Sequence, residues 1–294
     1  MVLVDQLPVT RLDPRQWDYS PPKWMAKWVT KGLHRSERKV DADAQVDMVQ
    51  GILAFFQRHW GNESRPAVNA MEGLAHRLER VGRLDEALIL HTSALTKRIR
   101  TQGPEHPATL HSEMCVGKML SESKRYEEAE SHFSHVVDTT AKQSDADQDQ
   151  SLNAMLWLGD TLTRMKNYEE AQDVLERVVV GYRATLGEED PKTADTEFRL
   201  AKVLALRGDF DAALAMQRNV VESLTRDGGA DDSVAVNARW YLAEWLHRTG
   251  DDAEARVVAV NLVETKRRLL GDRHEDIAAV TKLIADIDES LAQN

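Results

Sequence analysis

Gly82-Arg83-Leu84-Asp85-Glu86-Ala87 returns 42 residues later as Lys124-Arg125-Tyr126-Glu127-Glu128-Ala129. It returns again as Lys166-Asn167-Tyr168-Glu169-Glu170-Ala171, as Gly208-Asp209-Phe210-Asp211-Ala212-Ala213 and as Gly250-Asp251-Asp252-Ala253-Glu254-Ala255. Every step is 42 residues with no insertion. A fixed period of that size marks an array of like units, each too small to bury its own apolar face.

Other columns keep the same step. An apolar residue followed by a small one recurs at Leu74-Ala75, Val116-Gly117, Leu158-Gly159, Leu200-Ala201, Leu242-Ala243 and Ile284-Ala285. A leucine follows four residues later at Leu78, Leu120, Leu162, Leu204 and Leu246. Leucines four apart share one helix face, and the small residue lets a second helix approach. The alanine column Ala87, Ala129, Ala171, Ala213 and Ala255 predicts a matching close contact on the following helix. Loop signals fall at Gly103, Asp145, Gly187, Gly229 and Gly271. Pro107 and Pro191 suit the first turn of a helix, Pro191 behind the N-cap candidate Asp190. Each unit therefore reads as helix, turn, helix, loop. In the second unit the helices are predicted over roughly 107–122 and 127–143.

Composition agrees. The 294 residues are 42% hydrophobic and 30% charged, with 15 glycines and 8 prolines, which favours helices over a many-turned all-β fold. The single Cys115 excludes an internal disulfide and a multi-cysteine zinc site, and points to a reducing, cytoplasmic setting. A net charge of −11 argues against a sequence-independent grip on nucleic acid. No apolar run reaches the length of a membrane span, and Met1-Val2-Leu3-Val4-Asp5 lacks the pattern of an export signal.

The small-residue and alanine columns resemble tetratricopeptide repeats, whose usual period is about 34 residues. The longer 42-residue unit resembles the kinesin-light-chain type. Gly103-Pro104-Glu105-His106-Pro107-Ala108-Thr109-Leu110 looks like that family's inter-repeat loop and helix start, with degenerate copies at Leu186-Gly187-Glu188-Glu189-Asp190-Pro191 and Leu270-Gly271-Asp272-Arg273-His274. Tyr126-Glu127-Glu128-Ala129-Glu130 is similar to the opening of its second helix. The resemblance covers about residues 62–294. It implies an all-α, right-handed helical-hairpin solenoid that binds proteins or peptides in a concave groove. The position before the first-helix leucine, often a peptide-gripping asparagine in the light chains, is here Gly73, Cys115, Trp157, Arg199 and Tyr241. Asparagines stand four residues earlier at Asn69, Asn153 and Asn237. No long N-terminal heptad region accompanies the repeats, so motor binding is not implied.

These readings give three parts: residues 1–61 as an N-terminal helical extension with a diverged half-repeat, 62–271 as five repeats, and 272–294 as a C-terminal capping helix. In the first part Trp17, Tyr19, Trp24 and Trp28 cluster, and Lys23, Lys27, Lys31 and Arg35 step by four. Residues 1–60 carry a net charge of +2 against −13 for the remainder. The tryptophans read as a cap over the end of the array, with partner docking or membrane-surface contact as the other readings.

Motifs for chemistry are absent. There is no glycine-rich phosphate loop with Lys-Ser/Thr and no HExxH motif. His132 and His135, three apart on a predicted helix, read as surface histidines. Cys115, one turn after His111, reads as a small half-buried residue rather than a reactive thiol. No catalytic, metal or cofactor residue is expected, and the chain is not expected to be an enzyme.

A 100° wheel turns Asn69, Glu72, His76 and Arg80 away from the leucine stripe, and the same columns continue in later units. The candidate groove residues are Lys118, Asn153, Trp157, Arg199, Lys202, Asn237, Trp240 and Tyr241. Large rings, amides and both charges on one face suit an anchored peptide segment. The expected function is that of an adaptor or scaffold for a protein or peptide. A peptide-sensing regulator that closes around a short signal is the alternative, and an enzyme or accessory using the N-terminal helices is a third reading.

Overall fold

The computed structural model describes residues 42–143, 148–226, 231, 233–271 and 274–293. The tryptophan-rich segment read as a cap lies outside them. The described residues form twelve helices and no strand. They are α1 (Ala42–Trp60), α2 (Arg65–Arg80), α3 (Leu84–Gln102), α4 (Pro107–Glu122), α5 (Tyr126–Lys142) and α6 (Gln148–Arg164). They continue as α7 (Tyr168–Thr185), α8 (Pro191–Arg207), α9 (Phe210–Thr225), α10 (Ser233–Thr249), α11 (Asp252–Leu270) and α12 (Glu275–Gln293). The chain divides into two compact units, one ending at Ser123 and one beginning at Lys124. Within each, consecutive helices pack on one another: α1 to α4 in the first, α5 to α12 in the second. In the second unit, alternate helices also meet, α6 with α8, α8 with α10 and α10 with α12.

The columns become the helix contacts. Ala87, Ala129, Ala171, Ala213 and Ala255 are all fully buried, and Leu78, Leu120, Leu162, Leu204 and Leu246 are buried with them. Gly159 and Gly181 mark two tight approaches. A Cβ on Gly159 would stand 2.7 Å from Leu175 Cγ of α7, and one on Gly181 would stand 2.4 Å from Leu152 Cδ2 of α6. Glycine thus lets α6 and α7 close on each other at both ends of the hairpin. The sixth copy of the pair differs: Ile284 is half-buried and Ala285 exposed, because no described helix packs on that face of α12.

Turns and caps repeat as well. The residue that turns the first helix into the second has positive φ in all five repeats: Gly82, Lys124, Lys166, Gly208 and Gly250. Glycine adopts that conformation freely, whereas Lys124 and Lys166 hold it at φ 62° and 66° against their own side chains. Two proline-led helices are capped from the preceding residue: His106 Nδ1 accepts from Ala108 N at 3.0 Å, and Asp190 Oδ1 accepts from Lys192 N at 2.8 Å. Second helices open with acids, Asp85 and Glu86, Glu127 and Glu128, Glu169 and Glu170, which suit the positive end of the helix dipole.

Two outcomes are expected from this packing. Ala171→Leu should destabilise by about 1–3 kcal/mol through overpacking, while Ala184→Leu, exposed on the same helix, should leave the melting midpoint in place. Lys166→Gly should stabilise by roughly 0.5–1 kcal/mol, because relief of the left-handed strain exceeds the added entropy of the unfolded chain. Chemical denaturation of each variant measures both.

Candidate functional site

In the second unit the candidate residues come from three first helices. Asn153 and Trp157 lie on α6, Arg199 and Lys202 on α8, and Asn237, Trp240 and Tyr241 on α10. Asn237 is exposed and the other six are half-buried. Arg199 ties two of these helices together. Its Nη1 donates to Asp160 Oδ2 of α6 and its Nε to Asp195 Oδ2 at 2.9 Å. Partial desolvation disfavours the guanidinium, but the two carboxylates outweigh it and hold the arginine charged. Arg199 is therefore engaged within the protein.

Lys202 is placed differently. Its ammonium stands over the Tyr241 ring at 5.0 Å and the Phe198 ring at 5.6 Å; it makes no ion pair among the described residues, although Asp160 feels its charge at longer range. Phe198 and Tyr241 are 5.4 Å apart between ring centroids, and Tyr241 is 5.6 Å from Trp245. Aromatic faces attract the cation without neutralising it. Asn153 and Asn237 have no hydrogen-bond partner among the described residues, so their amides can both donate and accept.

Part of the predicted face turns inward. Glu72, Met114 and Phe198 are buried. Their column sits about 60° around the helix from that of Asn69, far enough to enter the seam between neighbouring helices. In the column four residues on from Asn69, Trp157, Arg199 and Tyr241 stay half-buried, whereas Cys115 is buried.

Lys118 belongs to the first unit, where two polar networks line the first helices. In one, Arg98 Nε donates to Glu72 Oε1 at 3.0 Å and Nη2 to Glu72 Oε2 at 2.7 Å and to Asn69 Oδ1 at 2.8 Å. The Ser112 hydroxyl also donates to Glu72. In the other, Glu79 Oε1 meets His76 Nδ1 at 3.0 Å and His91 Nε2 at 2.6 Å, while Glu79 Oε2 accepts from Lys118 Nζ at 3.1 Å. Burial works against the Glu79 carboxylate, but bonds from His76, His91 and Lys118 overcome it and hold the group well below the usual carboxylate range. Cys115 is buried, and desolvation pushes its thiol up to about 12, far from the thiolate that a nucleophile needs. Glu79 and His91 carry no signal in the repeat columns. Only the packing of α2, α3 and α4 brings them to this face.

The pattern of the tetratricopeptide repeat matches residues 67–142 and 150–226, and a second pattern of the same repeat matches residues 241–276. The chain belongs to the tetratricopeptide repeat family. No curated protein matches it. Among solved structures it is similar to nearly identical TPR-like repeats from a Podosopora anserina protein assigned to the kinesin light chains, at 21% identity and TM-score 0.62, over 73% of this chain and 100% of that one. It is also similar to BtubC (BKLC) from P. vanneervenii, at 13% identity and TM-score 0.62, over 71% and 84% of the two chains. The apo form of RapI matches at 12% identity and TM-score 0.59, over 90% of this chain and 96% of that one. At such identities the likeness is one of fold. Among the described residues, no helix is long and apolar enough to cross a membrane.

The buried Arg98–Glu72 pair is structural, with side chains 7% and 11% exposed. Arg98→Met should destabilise by about 3–5 kcal/mol, because it strands the Glu72 carboxylate without its cation. Arg83→Ala, which breaks an exposed pair with Glu86, should leave the melting midpoint essentially unchanged. Equal effects in the two variants would overturn this assignment.

Proposed function

We propose that this protein is a binding module that takes an extended protein or peptide segment along the first-helix face of α6, α8 and α10, lined as a concave groove. The observation that carries the reading is Lys202, an ammonium set over two rings that makes no ion pair among the described residues. It suits an acidic side chain or a terminal carboxylate on the ligand. Asn153 and Asn237 supply amides for an extended backbone, and Trp157, Trp240 and Tyr241 supply apolar area. Arg199 acts within the face, as the clamp that holds α8 against Asp160, rather than as a contact for the ligand. A neutral buried thiol and the absence of a catalytic motif in the sequence support an adaptor or scaffold over an enzyme.

A sensing role, in which the repeats close around a short peptide, has separate support. The chain is similar in fold, at TM-score 0.56 and 12% identity over 84% of its length, to a Rap protein complexed with Competence and Sporulation Factor. Compaction in solution scattering on peptide addition distinguishes this reading from a rigid adaptor.

The test uses a segment recovered by affinity selection on the whole chain. Lys202→Glu should weaken its binding more than about tenfold, roughly 1.4 kcal/mol, with an unchanged melting midpoint. Arg199→Glu should instead lower the melting midpoint, since it sets a third carboxylate against Asp160 and Asp195. Full affinity in Lys202→Glu would move the ligand off this face.

A further inference from the structure

We propose that His76, His91 and Cys115 form a binding site for a divalent metal ion of the zinc class, built between α2, α3 and α4 of the first unit. One donor comes from each of the three helices, and the three ligand atoms all lie within 4.8 Å of one another. Zinc bonds of about 2.0–2.1 Å to nitrogen and 2.3 Å to sulfur set tetrahedral ligands roughly 3.3–3.8 Å apart. Side-chain shifts of about 1 Å or less therefore close the set onto an ion.

Glu79 prepares the histidines. A carboxylate only accepts, so each ring donates through the nitrogen that faces it: His91 through Nε2 at 2.6 Å and His76 through Nδ1 at 3.0 Å, both to Oε1. The lone pairs then reside on His91 Nδ1 and His76 Nε2. A carboxylate behind an imidazole fixes its tautomer and makes it a better ligand, as in carboxylate–histidine–zinc arrangements. Lys118 holds the other oxygen of Glu79 at 3.1 Å, so the carboxylate is kept as a support for the rings.

An independent observation points to a missing partner. His91 is fully buried, and its Nδ1 has no hydrogen-bond partner. A buried polar atom left unbonded is costly, and a metal ion would satisfy this lone pair. Burial penalises a bare Cys115 thiolate, and a divalent cation at bonding distance supplies the charge that stabilises it. On binding, the thiol proton leaves to solvent and sulfur becomes an anionic ligand. Thiolate with imidazole selects zinc-class ions over magnesium or calcium. A water fills the fourth position, and the exposed His76 gives the ion a path from solvent. The site joins three consecutive helices, so metal would stabilise the first unit by binding only its folded form.

The test uses the whole chain, reduced, stripped with a chelator and titrated with Co2+. One equivalent should produce a thiolate-to-cobalt charge-transfer band in the near ultraviolet with the visible bands of a tetrahedral ion. Zn2+ should erase both, and it should raise the melting midpoint where Mg2+ does not. Cys115→Ser should lose the charge-transfer band. His76→Gln, at an exposed position that does not endanger folding, should weaken Co2+ binding at least about tenfold. His132→Gln with His135→Gln should leave the spectrum unchanged. The proposal is overturned if no charge-transfer band forms, if Co2+ binds as tightly in both Cys115→Ser and His76→Gln as in the unaltered chain, or if the His132 and His135 changes remove the band. Those last two results would mean adventitious surface binding.

Discussion

The contact between a fully buried alanine on each second helix and its neighbours is the constraint on which the structure depends. Ala87, Ala129, Ala171, Ala213 and Ala255 are fully buried, and a closely packed interior has no room for a larger side chain at such positions. At Gly159 and Gly181 even a methyl group is excluded by Leu175 and Leu152. Close approach sets how the first helices lie side by side within each unit, and hence which side chains meet on their shared face. Arg199 reaches Asp160 on the neighbouring first helix only because of that spacing.

The two units treat polar side chains on this face differently. In the first, charges are used up internally: Glu72 by Arg98 and Ser112, and Glu79 by His76, His91 and Lys118. In the second, Arg199 is consumed in the same way, yet Lys202 is left over aromatic rings and the asparagines keep unbonded amides. A neutralised, mutually bonded surface has little to offer a charged ligand without first breaking its own bonds. A cation that makes no ion pair and stands beside rings has a favourable interaction in reserve. This difference, rather than aromatic content alone, favours the second unit for recognition.

Strain is tolerated where the repeat demands it. The turn between first and second helix needs a left-handed residue in every repeat, and lysine fills it twice. The packing of α6 on α7 is strong enough to hold an unfavourable backbone at Lys166. Packing here overrides local preference.

The fold was written in the sequence because its determinants are local and repeated. Small residues and leucines four apart act within one hairpin, and a 42-residue step displays them five times, helped by turn glycines at Gly82, Gly208 and Gly250 and by helix-start prolines at Pro107 and Pro191. The helix limits of the second repeat, Pro107–Glu122 and Tyr126–Lys142, fall within one residue of those expected from its pattern. The face available to a ligand was legible only as a set of columns, because a wheel gives a direction from one axis and not the depth of the seam beside it. That is why Glu72 and Phe198 lie buried while Trp157 and Tyr241 remain partly open. The pairing of Arg199 with Asp160, 39 residues away, was invisible for the same reason. The cluster of His76, His91 and Cys115 shows the limit most clearly. Spacing along the chain draws attention to His132 and His135, three apart on one helix. Three donors on three helices have no sequence signature at all. Composition and periodicity determined what this chain folds into, and tertiary packing alone decided which of its charges are spent inside the protein and which remain to meet something else.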